Sequence, residues 1–189
     1  MTAVSTSTTA EPAHYYVAYG SNLHPLRLQQ RLPGAEPVAR LRLDGRALRF
    51  HKRGADGSGK CDLLDEGSGC FGVLYRLQPT APAQLDLIEG GYRRYALPVV
   101  LGGQRLEAFS YAAQAAFIAP ALQPFDWYRD LILAGAEALA FEQDYCARLA
   151  AQSCVADPDT ARRRAAMELV QTLRSAEITA LRALPWGRA

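Results

Sequence analysis

The chain has 189 residues, 49% hydrophobic and 21% charged, with a formal net charge of +2. That length and balance suit one globular domain with a real core. The charge is too small for a nucleic-acid binder, and no apolar run reaches the roughly 18 residues of a membrane span.

Met1 to His14 is rich in Thr, Ser and Ala and lacks the basic start and apolar stretch of a signal peptide, so residues 1–14 are expected to form a disordered tail. Tyr15-Tyr16-Val17-Ala18 reads as a short buried strand broken by Tyr19-Gly20-Ser21-Asn22. Pro25 to Leu32 predicts a helix, with Pro25 in its first turn and Pro33-Gly34 ending it. Val38 to Leu43 alternates apolar and polar as a strand does, Asp44-Gly45 is a turn, and Ala47 to His51 is the return strand. Gly54 to Gly59 reads as a loop and Cys70 to Leu77 as a strand. A helix over Ala81 to Ile88 runs into Glu89-Gly90-Gly91, and strands follow at Tyr95 to Leu101 and Arg105 to Tyr111. Apolar spacing then turns helical over Phe125 to Ala136 and Leu139 to Ala151. A last helix is expected from Thr160 to Leu184 after the Asp157-Pro158 start signal.

Strands first and helices last predict an α+β fold: a small mixed or antiparallel barrel-like sheet packed by helices, with a C-terminal helical extension. The expected organisation is one domain over 15–151, with residues 152–189 packing on it as a C-terminal helix. Cys61, Cys70, Cys146 and Cys154 form no CxxC pair and read as free buried thiols. With His14, His24 and His51 the only histidines and no HExxH, no metal site is expected. Arg162-Arg163-Arg164 reads as a solvated helix face.

Three segments carry chemistry. Gly20 permits close approach to a ligand, amides at a turn before a helix form an anion site, and Ser21 and Asn22 add short polar side chains. Read alone, the same segment is also an ordinary capped strand-to-helix turn. Glu89 stands where a helix meets Gly90-Gly91, so it can face a cavity or remain a solvated helix-end carboxylate. Tyr128 opens an apolar helix that contains Gly135-Ala136, and is equally a core aromatic.

Together, Tyr19-Gly20-Ser21-Asn22 after a first strand, Glu89-Gly90 downstream, and Tyr128 with Gly135-Ala136 and Tyr145 resemble the γ-glutamylcyclotransferase superfamily, which includes AIG2-like proteins and γ-glutamylamine cyclotransferases. The resemblance spans about residues 15–151. One departure is Leu139-Ala140-Phe141, where the family often has Leu-Pro. The resemblance implies cleavage of a γ-glutamyl amide to 5-oxoproline and a free amine, without a cofactor, with Glu89 as the proton carrier. It implies Tyr16, Tyr19, Gly20, Ser21, Asn22, Leu23 and Tyr128 as substrate-binding residues. It also implies a small-molecule partner only, a monomer or homodimer, and a cytoplasmic setting. Related readings are a γ-glutamylamine cyclotransferase, an enzyme releasing a γ-glutamyl-protected biosynthetic intermediate, and a non-catalytic ligand-binding module.

Overall fold

The computed structural model describes residues 13–176 and 178–189. The expected tail over 1–14 lies outside the described residues except for Ala13 and His14, and His14 already pairs with Leu77. Ten strands and six α-helices are described: β1 His14–Ala18, α1 Pro25–Arg31, β2 Glu36–Leu43, β3 Ala47–Arg53, β4 Gly59–Leu64, β5 Cys70–Leu77, α2 Ala81–Ile88, β6 Tyr92–Ala96, β7 Val99–Leu101, β8 Gln104–Leu106, β9 Ala108–Ala113, α3 Asp126–Ala138, α4 Gln143–Ala150, α5 Thr160–Ser175, α6 Thr179–Arg182 and β10 Trp186–Arg188. The fold is α+β, as expected.

Eight strands form one curled sheet in the order β6-β9-β1-β5-β2-β10-β7-β8, while β3 and β4 pair as a separate hairpin. β5 is central and buried at every position but Arg76, which explains its apolar run of Cys70-Phe71-Gly72-Val73-Leu74-Tyr75. β1 pairs antiparallel with β5 and parallel with β9. The hairpin is held to β9 by Asp62, a buried carboxylate that meets His51 Nε2 at 3.0 Å and accepts the Ala113 amide at 2.8 Å.

Apolar positions of α3 bury Ile132, Leu133 and Ala136 in the main core, while Leu131 meets Val170 and Leu173 of α5. Asp159 caps α5 by accepting the Arg162 amide at 2.9 Å. The arginine run is partly neutralised: Arg162 pairs with Asp157 at 2.5 Å and Arg163 with Asp126 at 2.6 Å.

Several expected elements are corrected. The glycine-rich stretch ends a residue early, and Gly59 opens the unforeseen strand β4, where its backbone lies against Phe50 too closely for any Cβ. The two expected strands across residues 95–111 are four, because Pro98 cannot donate to a ladder and Glu107 separates β8 from β9. The long last helix stops at Ser175, and α6 ends before Pro185. β10 then inserts between β2 and β7, parallel to the first and antiparallel to the second. At the turn after α3, Ala140 takes φ 50, a value closed to proline. The chain's departure from Leu-Pro therefore has a backbone reason.

β10 leaves little room. A Cβ on Gly187 would lie 2.9 Å from Val100 O and 3.0 Å from Leu41 Cδ2. Gly187→Val is expected to cost about 1–3 kcal/mol, the usual range for overpacking, read as a lower urea midpoint at unchanged slope. An unchanged midpoint would mean that β10 contributes nothing to the sheet's stability.

Candidate active site

β1 ends at the sheet centre, and the chain then turns sharply into α1. Leu23 N–H donates to Gly20 O at 3.0 Å, closing the turn, and Tyr75 donates its hydroxyl to Leu23 O at 3.0 Å from β5. Gly20 does not take a positive φ. Its lack of a side chain matters for another reason: a Cβ there would lie 3.2 Å from Cys61 Cβ and 3.9 Å from the Tyr128 hydroxyl. The Ser21 and Asn22 amides have no protein acceptor among the described residues.

Across from this turn stands Glu89, at the C-terminal end of α2. Its amide donates to Leu85 O at 2.9 Å, and Gly91, at φ 80, swings the chain into β6. The side chain points inward. Asn22 Nδ2 donates to Glu89 Oε1 at 3.0 Å and lies 3.2 Å from the Tyr16 hydroxyl, while Arg31 donates to Asn22 Oδ1 at 3.1 Å. Burial pushes the Glu89 carboxyl above the usual range for a glutamate, and Arg31, the Asn22 hydrogen bond, Lys52 and Arg27 pull partly against that. Arg27, whose Nε is buried without a partner, is pushed down to about 10 by burial and by Arg31 beside it.

Tyr16, Tyr19, Gly20, Ser21, Asn22, Glu89 and Tyr128 thus line one cleft. Leu23 does not: its side chain is fully buried in the core. Tyr19 reaches the cleft wall, but its hydroxyl donates to Tyr111 O at 2.6 Å and so anchors the turn to β9. Tyr128 accepts the Cys61 amide at 3.2 Å, and its hydroxyl also lies in hydrogen-bonding reach of the Cys61 thiol. Cys61, Tyr92 and Tyr111 also line the cleft, and no motif announces them. Tyr92 donates to Cys61 O at 2.6 Å, so hairpin and β6 are tied across the floor. The Cys61 thiol is raised by burial, which keeps it protonated and unreactive. Among the described residues no cluster of three metal-ligating side chains occurs.

The cleft is tight, with about 30 Å³ of free volume, room for about two waters. A groove beside Arg49, Tyr145 and Arg148 is larger at about 310 Å³, but no carboxylate lines it. The convergence of one raised carboxylate, unpaired turn amides and several hydroxyls marks the smaller cleft as the candidate site.

Residues 69–149 match the sequence model of the AIG2-like family. Over 116 residues the chain is 34% identical to the putative γ-glutamylcyclotransferase YkqA of Bacillus subtilis, a match covering 56% of this chain and 42% of that protein. The chain therefore spans less than half the length of this curated relative. The chain is thus similar in sequence to AIG2-like proteins and to a putative γ-glutamylcyclotransferase. The crystal structure of YkqA superposes with a TM-score of 0.63 at 26% identity, covering 75% of this chain and 54% of that one. A solved γ-glutamyl cyclotransferase superposes with a TM-score of 0.74 at 22% identity, over 85% and 99% of the two chains, which shows a shared fold.

The Tyr128 hydroxyl satisfies a buried amide, so Tyr128→Phe should not be silent. Leaving the Cys61 N–H without its acceptor is expected to cost about 1–2 kcal/mol, measured by urea denaturation. Wild-type stability in the variant would show that water replaces the hydroxyl at no cost.

Proposed function

We propose that the protein is a γ-glutamyl cyclotransferase: it releases an amine from a γ-glutamyl amide and forms 5-oxoproline. The observation that carries this reading is the inward-facing Glu89, in a hydrogen-bonded chain with Asn22 and opposite the Gly20–Asn22 turn. A module that only binds ligands has no need to hold a half-buried carboxylate against that turn.

In this reaction the substrate's α-amino nitrogen attacks its own γ-carbonyl carbon. A C–N bond closes the five-membered lactam, and the old amide C–N bond breaks. The substrate supplies the nucleophile, so the protein has three tasks.

The first is to fold the γ-glutamyl group into a near-attack geometry, which contributes up to about 7–11 kcal/mol in the best intramolecular cases. The free amides of Ser21 and Asn22 suit the α-carboxylate. Arg27, Arg31 and Lys52 surround one carboxylate, Glu89, and this surplus of positive charge favours an anionic group. The second task is proton transfer. Glu89 takes a proton from the α-ammonium and returns it to the departing amine, help worth about 10²–10⁴-fold. Its raised pKa makes it a stronger base than an exposed glutamate. The third task is to stabilise the developing oxyanion. The Tyr128 hydroxyl, which lines the cleft, is one suitable donor.

Glu89→Gln preserves shape and the Asn22 contact but cannot accept the ammonium proton. Its kcat should fall by about 100-fold or more, with KM little changed, in an assay of 5-oxoproline release across a panel of γ-glutamyl amino acids and amines. In the wild type kcat/KM should rise with pH as Glu89 ionises, with the midpoint above the ordinary glutamate value because burial raises it. That limb should be missing in the variant. Near-normal turnover by Glu89→Gln would sink the assignment.

A further inference from the structure

Lys52 lies on β3, outside every motif discussed so far, and only 5% of its surface is exposed. Lysines are almost never this buried unless paired. Among the described residues Lys52 makes no ion pair. The hairpin's nearby carboxylate, Asp56, instead pairs with Lys60 at 2.6 Å. The Lys52 ammonium donates to Gly90 O at 2.6 Å, 4.6 Å from the centre of the Tyr92 ring and 5.4 Å from that of Phe117. These contacts offset part of its desolvation. They also tie the β3–β4 hairpin to the residue that follows Glu89.

We infer that Lys52 is a positioning residue: it pins the Glu89–Gly90 turn through the Gly90 carbonyl and holds a positive charge against the Glu89 carboxylate. The inference rests on the reading of Glu89 given above. It is specific about the origin of the electrostatics. Arg27 and Arg31 face Glu89 from α1, Asn22 and Tyr16 from the turn and β1, Tyr128 from α3, and Tyr92 from β6. Of the three cations, the arginines belong to a short surface helix and Lys52 alone is anchored to the carboxylate's own turn. Lys52 is in turn influenced by Glu89 and Asp56, which favour its charge, and by Lys60, which opposes it. Without Lys52 the carboxylate would lose a stabilising charge and hold its proton to higher pH.

The test compares wild type with Lys52→Met, Lys52→Gln and Lys52→Arg. Two quantities are read: the ¹³C titration of the Glu89 carboxyl carbon, assigned by its loss in Glu89→Gln, and the pH profile of kcat/KM for 5-oxoproline release from γ-glutamyl-alanine. Lys52→Met and Lys52→Gln should raise the Glu89 midpoint by about one pH unit, the size expected for losing one nearby opposite charge. The acidic limb of kcat/KM should move with it, and Lys52→Arg should stay near wild type. Lys52→Gln keeps a donor for Gly90 and carries the test if Lys52→Met does not fold. A Glu89 titration unmoved in both neutral variants overturns the inference, whatever happens to turnover. A titration that moves while the kinetic limb stays put upholds the hold of Lys52 on the carboxylate and overturns Glu89 as the proton carrier.

Discussion

A carboxylate drawn into a protein interior needs donors in fixed places, and here Asn22 is the central one. Its amide nitrogen bonds Glu89 and lies near the Tyr16 hydroxyl, and its oxygen accepts from Arg31. One short side chain thus links β1, α1 and the end of α2. Its position follows from the tight turn closed by Leu23 N–H and Gly20 O, and from the Tyr75 hydroxyl that holds Leu23 O. The turn in turn depends on β1 lying beside β5 at the centre of the sheet. Rigidity flows outward from the most buried strand to the most chemically exposed group.

Much of this frame was legible in the sequence, because it rests on local signals. Pro25 opens α1, the alternation of β2 is plain, and Asp157-Pro158 announces α5. The failures share a cause: the deciding interaction was distant. Gly59 belongs to a strand because Arg53 of β3 pairs with it, and Phe50 backbone leaves no room there for a side chain. Trp186-Gly187-Arg188 has no strand signature of its own and becomes one because β2 and β7 leave a gap between them.

The candidate site divides the same way. Glu89 and the Gly20–Asn22 turn carry recognisable spacing, and they meet in space. Leu23 shares the turn but follows Asn22 with its side chain aimed into the core, a direction that adjacency in sequence does not reveal. Cys61 and Tyr92 arrive from β4 and β6, and their place on the cleft wall is a product of topology. Lys52 looks in sequence like any exposed strand lysine between His51 and Arg53; only the fold buries it.

The position of β10 also bears on how the molecule assembles. β7 and β8 form a hairpin whose neighbour in the main sheet is β10, and β10 pairs with a strand that begins about 150 residues earlier. Such pairing closes a long loop before it is rewarded, which places the sheet among slow-folding, high-contact-order topologies. The β7–β8 edge and the Trp186–Arg188 segment should therefore gain and lose their amide protection against hydrogen exchange as one cooperative unit, later in folding than the β1–β5 pair that supports the cleft.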